Sequence, residues 1–126
     1  MATSGTHDTE AQAVWYDGLS PEHRGYLARI PGLERLDVNR GFDQGVRDAL
    51  LRVLYQSASD LCLVPFQDLL GNREQVNVPG SVNEHNWSYR MPMDVESLCA
   101  DRATSERLLA LARESCRLAA PVESGA

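Results

Sequence analysis

Residues 65–92, PFQDLLGNREQVNVPGSVNEHNWSYRMP, hold four asparagines, two arginines, a tryptophan and a tyrosine, and a His-Asp pair stands near the N-terminus in SGTHDTE at 4–10. Asn and Gln amides offer a donor and an acceptor side by side, which suits vicinal hydroxyls, and Trp or Tyr faces stack on the apolar side of a pyranose. The segment follows directly on the apolar run Leu61-Cys62-Leu63-Val64 and carries neither a helical period nor a repeat. It therefore reads as an ordered binding loop with the composition of a sugar-facing surface. His7-Asp8 has two readings at this point: a carboxylate and imidazole that grip hydroxyls, or a polar helix start capped by Asp or Thr.

These residues need elements to hold them. Residues 1–5 read as the end of a strand, and Thr9-x-x-Gln12 has the form of a capping box opening a short helix through Asp17, closed by Gly18. Ser20-Pro21-Glu22 supplies an N-cap, a first-turn proline and a first-turn acid for a second helix to about Ile30, which Pro31-Gly32 stops. From about Asp43 to Ser59 the residues Val46, Ala49, Leu50, Val53, Leu54 and Ser57 share one helical face, with Arg47, Asp48, Arg52 and Gln56 off it. Leu61–Val64, bounded by Asp60 and Pro65, reads as a buried parallel strand. Asp94 to Cys99 reads as a short helix. Thr104-x-x-Arg107 leads into a helix to Leu118, and the end, APVESGA, is expected to fray.

At 126 residues and 43% hydrophobic the chain suits one globular domain. Its net charge is −6 and all twelve basic residues are Arg, dispersed among acids without a cluster; nucleic acid and anionic membranes are not expected partners. Cys62, Cys99 and Cys116 are odd in number and widely spaced, as expected for reduced, mostly buried thiols of a cytoplasmic protein rather than a disulfide or metal set. No apolar run has the length of a bilayer span, and no leader pattern opens the chain.

Three motifs of the long segment, Pro65-Phe66-Gln67-Asp68-Leu69-Leu70-Gly71, Asn77-Val78-Pro79-Gly80-Ser81 and Asn86-Trp87-Ser88-Tyr89-Arg90, stand in this order about sixty residues after Gly5-Thr6-His7-Asp8. Together they resemble the C-terminal part of the amylomaltases, the 4-α-glucanotransferases of glycoside hydrolase family 77, over residues 1 to about 118. The Gly-Thr-His-Asp element is shared with other barrel enzymes; the compound of the other three carries the specificity. The resemblance implies an α/β fold, the last two βα units of a TIM-type (β/α)8 barrel, helix-dominated with few strands, with residues 1–126 as a single partial domain and 119–126 a frayed tail. It implies action on α-1,4-glucan or maltooligosaccharide by retaining transfer, with Asp8 stabilising the transition state, His7 binding the sugar in the reactive subsite, and Asn77, Asn86 and Trp87 among the substrate-binding residues. No metal or organic cofactor is implied.

The chain also departs from that pattern. The family's nucleophile and acid/base lie at the ends of earlier strands, and no segment here matches either, so the chain is expected not to catalyse transfer alone. Partners then include a separately supplied N-terminal enzyme part or a second copy of the chain. A free-standing glucan-binding half-fold and a self-associating structural protein are the rival readings. Within the loop, Pro79-Gly80 is expected to turn with Gly at positive φ, and Trp87 and Tyr89 to face opposite sides. Arg90 is expected to pair with Asp68 or Glu74 or else to meet substrate. Asn77 and Asn86 either reach sugar or cap their own backbone, and Trp15 and Tyr16 are either core or a sugar platform.

Overall fold

In the computed structural model, which describes residues 1–118, the order of elements is β1 (Ala2–Thr3), α1 (Gln12–Gly18), α2 (Pro21–Leu27), α3 (Gln44–Tyr55), β2 (Cys62–Leu63), α4 (Phe66–Leu70), α5 (Val95–Ala100) and α6 (Arg102–Glu114). The fold is a helix-dominated α/β arrangement with few strands. The expected fraying of residues 119–126 lies outside the described residues. β1 and β2 pair in parallel, Ala2 against Cys62 and Thr3 against Leu63, so the three helices between them form one crossover.

The core forms where α1 and α3 meet the loop between α2 and α3. Tyr16, Leu33, Val46 and Leu50 are buried together, with Leu19, Leu27, Leu36, Phe42, Ala49 and Val53 packed around them. The expected stripe on α3 thus faces Tyr16. Leu51, which lies off that stripe, is also fully buried, because α3 packs against α4 and α6 as well. Of the pair Trp15 and Tyr16, only Tyr16 is core; Trp15 reaches the surface.

Arg24 closes this core. It is buried, its guanidinium lies 4.9 Å from the Tyr16 ring centroid, and its nitrogens donate to the carbonyls of Tyr16, Asp17, Val38 and Arg40. The five-donor fork satisfies loop carbonyls that would otherwise be buried without partners, a use that Lys cannot match. Arg117 does the same for the end of α3, donating to the carbonyls of Tyr55 at 2.6 Å and Ser57 at 2.9 Å; a cation there also complements the helix dipole.

Several boundaries differ from the sequence reading. The Thr9 to Gln12 capping box does not form: the cap position of α1 is Ala11, the Thr9 hydroxyl turns back to Thr6, and the Gln12 N–H donates to Asp68 Oδ1 at 2.7 Å. A partner distant in sequence has replaced the local cap. α2 begins as expected, with Ser20 Oγ accepting from His23 N–H, but ends at Leu27, beyond which the bonds tighten to three-residue turns, Arg29 N–H to Tyr26 O and Ile30 N–H to Leu27 O. α3 ends at Tyr55 rather than Ser59, where Arg117 takes its terminal carbonyls.

Residues 61–64 are not a buried strand. Only Cys62 and Leu63 are strand, and Leu61 and Leu63 are half exposed at 51% and 49%, because a two-stranded parallel sheet lacks the further strands and helices that would cover it. The long segment opens with a helix, α4, ended by Gly71 in the left-handed conformation at φ 77°. α6 starts from the Asp101 cap and ends at Glu114. There Cys116 adopts φ 56°, and the N–H groups of Cys116 and Arg117 return to the carbonyls of Arg113 and Ala112, a Schellman turn without its usual glycine. The thiols are less buried than expected: Cys99, on the short α5, and Cys116, in the turn that ends α6, are both exposed, and Cys62 is partly buried. No helix of the described residues is long and apolar enough to cross a membrane.

Candidate functional site

Residues 6–9 form a turn that leaves β1 and presents His7 and Asp8 at its tip. Thr9 staples it: its hydroxyl accepts from Thr6 N–H at 2.8 Å and donates to Thr6 O at 2.9 Å, and its N–H also donates to Thr6 O. Gly5 is required just before it, because a Cβ there would sit 2.4 Å from Thr9 Oγ1. The Gly-Thr-His-Asp-Thr run is therefore a compact local unit.

The segment after α4 folds back onto this turn. Asn77 N–H donates to the His7 carbonyl at 3.0 Å, and its side-chain amide donates to Asp8 Oδ1 at 2.6 Å. The Gln75 amide bridges the carbonyls of Asp8 and Asn77. Asp8 Oδ1 also faces His7 Nε2 at 3.3 Å, and the His7 ring lies 5.0 Å from Trp87, tilted by 36°. His7, Asp8, Asn77 and Trp87, drawn from two motifs separated by about seventy residues of chain, thus form one exposed cluster.

Trp87 stands at φ 63°, a left-handed conformation that costs a non-glycine residue about 1–2 kcal/mol. Its N–H donates to Val76 O at 2.8 Å, which pins the strained backbone and leaves the indole outside. Trp87 is 62% exposed, whereas the Tyr89 hydroxyl is buried, but the extended alternation expected of the pair does not form, because Trp87 lies in a turn.

The Asn86 side chain spends its hydrogen bonds away from the cluster. Its carbonyl oxygen accepts from Val78 N–H and its amide donates to Ser81 O and Oγ, closing the loop over the Val78–Ser81 turn. Gly80 there has φ 75°, and Ser81 N–H returns to Val78 O, the type II turn expected of Pro-Gly. Arg90 pairs with neither Asp68 nor Glu74; it donates to the adjacent Tyr89 carbonyl. The arginine that anchors the segment is Arg73, which pairs with Asp17 on α1. The hydrogen bond from Arg73 and a second from Phe42 N–H hold the Asp17 carboxyl below the usual carboxylate range.

A groove of about 610 Å³ runs beside the turn, lined by Ser4, Thr9, Glu10, Gln12, Trp15, Leu50 and Gln75. Gln75 joins it to the cluster, and the side-chain Oε1 of the lining residue Gln12 is buried without a partner. Among the described residues no three His, Cys, Asp or Glu side chains gather as a metal set.

The two residues that sequence reasoning missed are Gln75 and Asp68. Gln75 sits among polar loop residues without a distinguishing pattern. Asp68 lies inside a recognised motif, yet its partners, Ser4 and Gln12, are 64 and 56 residues away, and nothing local indicates them.

Comparison with known proteins shows the family. Residues 1–95 match the 4-alpha-glucanotransferase family. A 4-alpha-glucanotransferase of Chlamydia pneumoniae is 28% identical over 110 residues, covering 78% of this chain and 20% of that protein. One from Streptococcus pneumoniae is 33% identical over 94 residues, covering 72% and 17%. A solved amylomaltase from Streptococcus agalactiae, in complex with acarbose, superposes with a TM-score of 0.72 at 27% identity, over 91% of this chain and 21% of that one. The chain therefore spans about a fifth of the length of the relatives it matches. On the family match and the amylomaltase likeness together, the chain belongs to the 4-alpha-glucanotransferases of glycoside hydrolase family 77.

Proposed function

We propose that this chain supplies the part of a 4-α-glucanotransferase cleft that grips the sugar ring at which an α-1,4 bond is exchanged. The observation that carries the reading is the joining of Asp8 to Asn77, with His7 against Trp87, because it unites the two motifs of the family resemblance in one exposed cluster. Asp8 acts as transition-state stabiliser: its carboxylate, oriented by the Asn77 amide, holds ring hydroxyls more tightly as the ring flattens toward an oxocarbenium ion. His7 donates to a neighbouring hydroxyl, Trp87 offers a stacking face, and Asn77 has its side-chain Oδ1 left for substrate. Asn86 contributes by shaping the loop.

The ligand class is α-1,4-glucan or a maltooligosaccharide, and the acarbose carried by the similar amylomaltase supports it. The fold is that of the last two βα units of a TIM-type barrel, and residues 1–126 form a single partial domain. The nucleophile and the acid/base of a retaining mechanism have no counterpart in this sequence, and the proposal assigns them to the remainder of such a barrel. The three free thiols support a reducing, cytoplasmic setting.

The test is Asp8→Asn in the chain assembled with the rest of a family member's barrel. Turnover of maltotriose should fall by on the order of 10²-fold or more, as for loss of a transition-state electrostatic contact, while maltodextrin binding changes little. A loss confined to KM would make Asp8 a ground-state binder and overturn the assigned role.

One observation favours a second reading, a half-barrel that binds glucan without catalysis and associates with its own kind. Each strand has one bare edge, and Met1, Leu61 and Leu63 are exposed beside it.

A further inference from the structure

We propose that Asp68 is the positioning residue of this site: a buried carboxylate that ties the His7-Asp8 turn to β1's end and to α1 without touching substrate. The inference rests on the reading of Asp8 given above. Asp68 is 3% exposed. One of its oxygens accepts from the Ser4 hydroxyl at 2.5 Å and the other from the Gln12 N–H at 2.7 Å. Ser4 and Gln12 flank the 6–9 turn, so one carboxylate fixes both ends of the segment that carries His7 and Asp8.

The residue is held rigidly. Asp68 lies in α4, whose last carbonyls are themselves taken by arginines from two other helices: Leu69 O by Arg107 at 2.8 Å and Leu70 O by Arg47 at 3.4 Å. Gly5 packs over it, with a notional Cβ 3.9 Å from Asp68 Oδ2. Among the described residues no Arg or His nitrogen comes within ion-pairing distance of Asp68.

A buried carboxylate without a cation is costly, and an apolar side chain would fill the place at lower cost. What the carboxylate adds is two acceptors aimed in different directions at the two flanks of the turn. Neither bonded group belongs to the core cluster of Tyr16, Leu33, Val46 and Leu50, so the loss of Asp68 should be felt at the turn and not in the core.

The ring of Trp87 lies close enough to His7 to displace its ring-proton chemical shifts, which gives a reporter of turn geometry that needs no sugar. The experiment compares those shifts in the full chain with Trp87→Ala as the reference for lost contact. Asp68→Leu is expected to lose most of the displacement while the methyl shifts of Val46 and Leu50 stay in place. Asp68→Asn, whose carbonyl can accept from Gln12 and whose amide can donate to Ser4, should recover most of it.

An Asp68→Leu chain that keeps the His7 displacement overturns the proposal. So does one that loses it together with the Val46 and Leu50 shifts, because Asp68 would then serve the fold at large, and so does an Asn variant no better than Leu. If the Leu variant does not fold, Ser4→Ala decides: a partial loss supports the proposal, and an unchanged shift overturns it. A chain whose His7 shift depends on Asp68 but which binds no acarbose would sink the proposed function and leave the positioning role standing.

Discussion

At the scale of the residue, Trp87 combines exposure with backbone strain. A left-handed tryptophan with its indole outside is an arrangement that packing alone does not require, and strain of this kind collects where function fixes a conformation. Trp87→Gly removes both ring and strain, whereas Trp87→Ala removes only the ring. The glycine variant should therefore be more stable than the alanine variant by about 1 kcal/mol, read as a difference in urea midpoint, and both should lose acarbose affinity equally. Equal stability of the two variants would show that no strain is stored there.

Part of the site was legible in the sequence. The motifs singled out His7, Asp8, Asn77 and Trp87, and the structure brings these four together; their grip on sugar is the proposal. Asn86 carries the same chemistry, but its amide is spent on Ser81 and Val78. Composition cannot separate an amide that faces ligand from one that closes its own loop.

At the scale of the element, Asp17 and Arg73 latch α1 to the binding segment. The folded state holds the Asp17 carboxyl low, chiefly through its hydrogen bond from Arg73 and next through that from Phe42 N–H. The unfolded chain therefore takes up its proton first as pH falls. The latch contributes stability above the ordinary carboxylate value and loses it as pH falls through the lowered folded value. The stability difference between wild type and Asp17→Asn, measured by urea titration, should shrink as the solution is acidified through that region. A difference that stays constant from neutral to strongly acidic solution would mean that the pair is idle.

On α3, Leu51→Ala should cost about 2–5 kcal/mol, as expected for a fully buried leucine; a cost near zero would place Leu51 at a surface. The helical stripe from Val46 to Val53 was visible as a period, but the burial of Leu51 was not, because a helix packed on two sides has no single apolar face. The Schellman turn at Cys116 was hidden for a related reason: the residue that signals such turns is glycine, and none stands there.

At the scale of the whole molecule, two short parallel strands carry an exposed Leu61, Leu63 and Met1. Bare strand edges invite pairing. The chain should self-associate in sedimentation at micromolar concentration, and a strict monomer would show that the edges are covered some other way. For the same incompleteness, a preparation free of host enzyme should yield no glucose or longer dextrins from maltotriose beyond a protein-free control. The parallel pairing of the two strands follows the sequence reading, but burial of 61–64 does not. A short apolar run announces a strand, while the neighbours that would bury it are not in these residues.

In the proposed function, the turn at His7-Asp8 and the segment folded onto it form one sugar-gripping surface. A nuclear magnetic resonance titration of the isotope-labelled chain with acarbose tests this most directly. Weak, saturable binding is expected, with perturbations concentrated at His7, Asp8, Asn77 and the Trp87 indole, and with those at His7, Asp8 and Asn77 weakened in Trp87→Ala. Saturating acarbose that leaves those four residues unmoved, or that perturbs only the groove at Gln12 and Trp15, would contradict it.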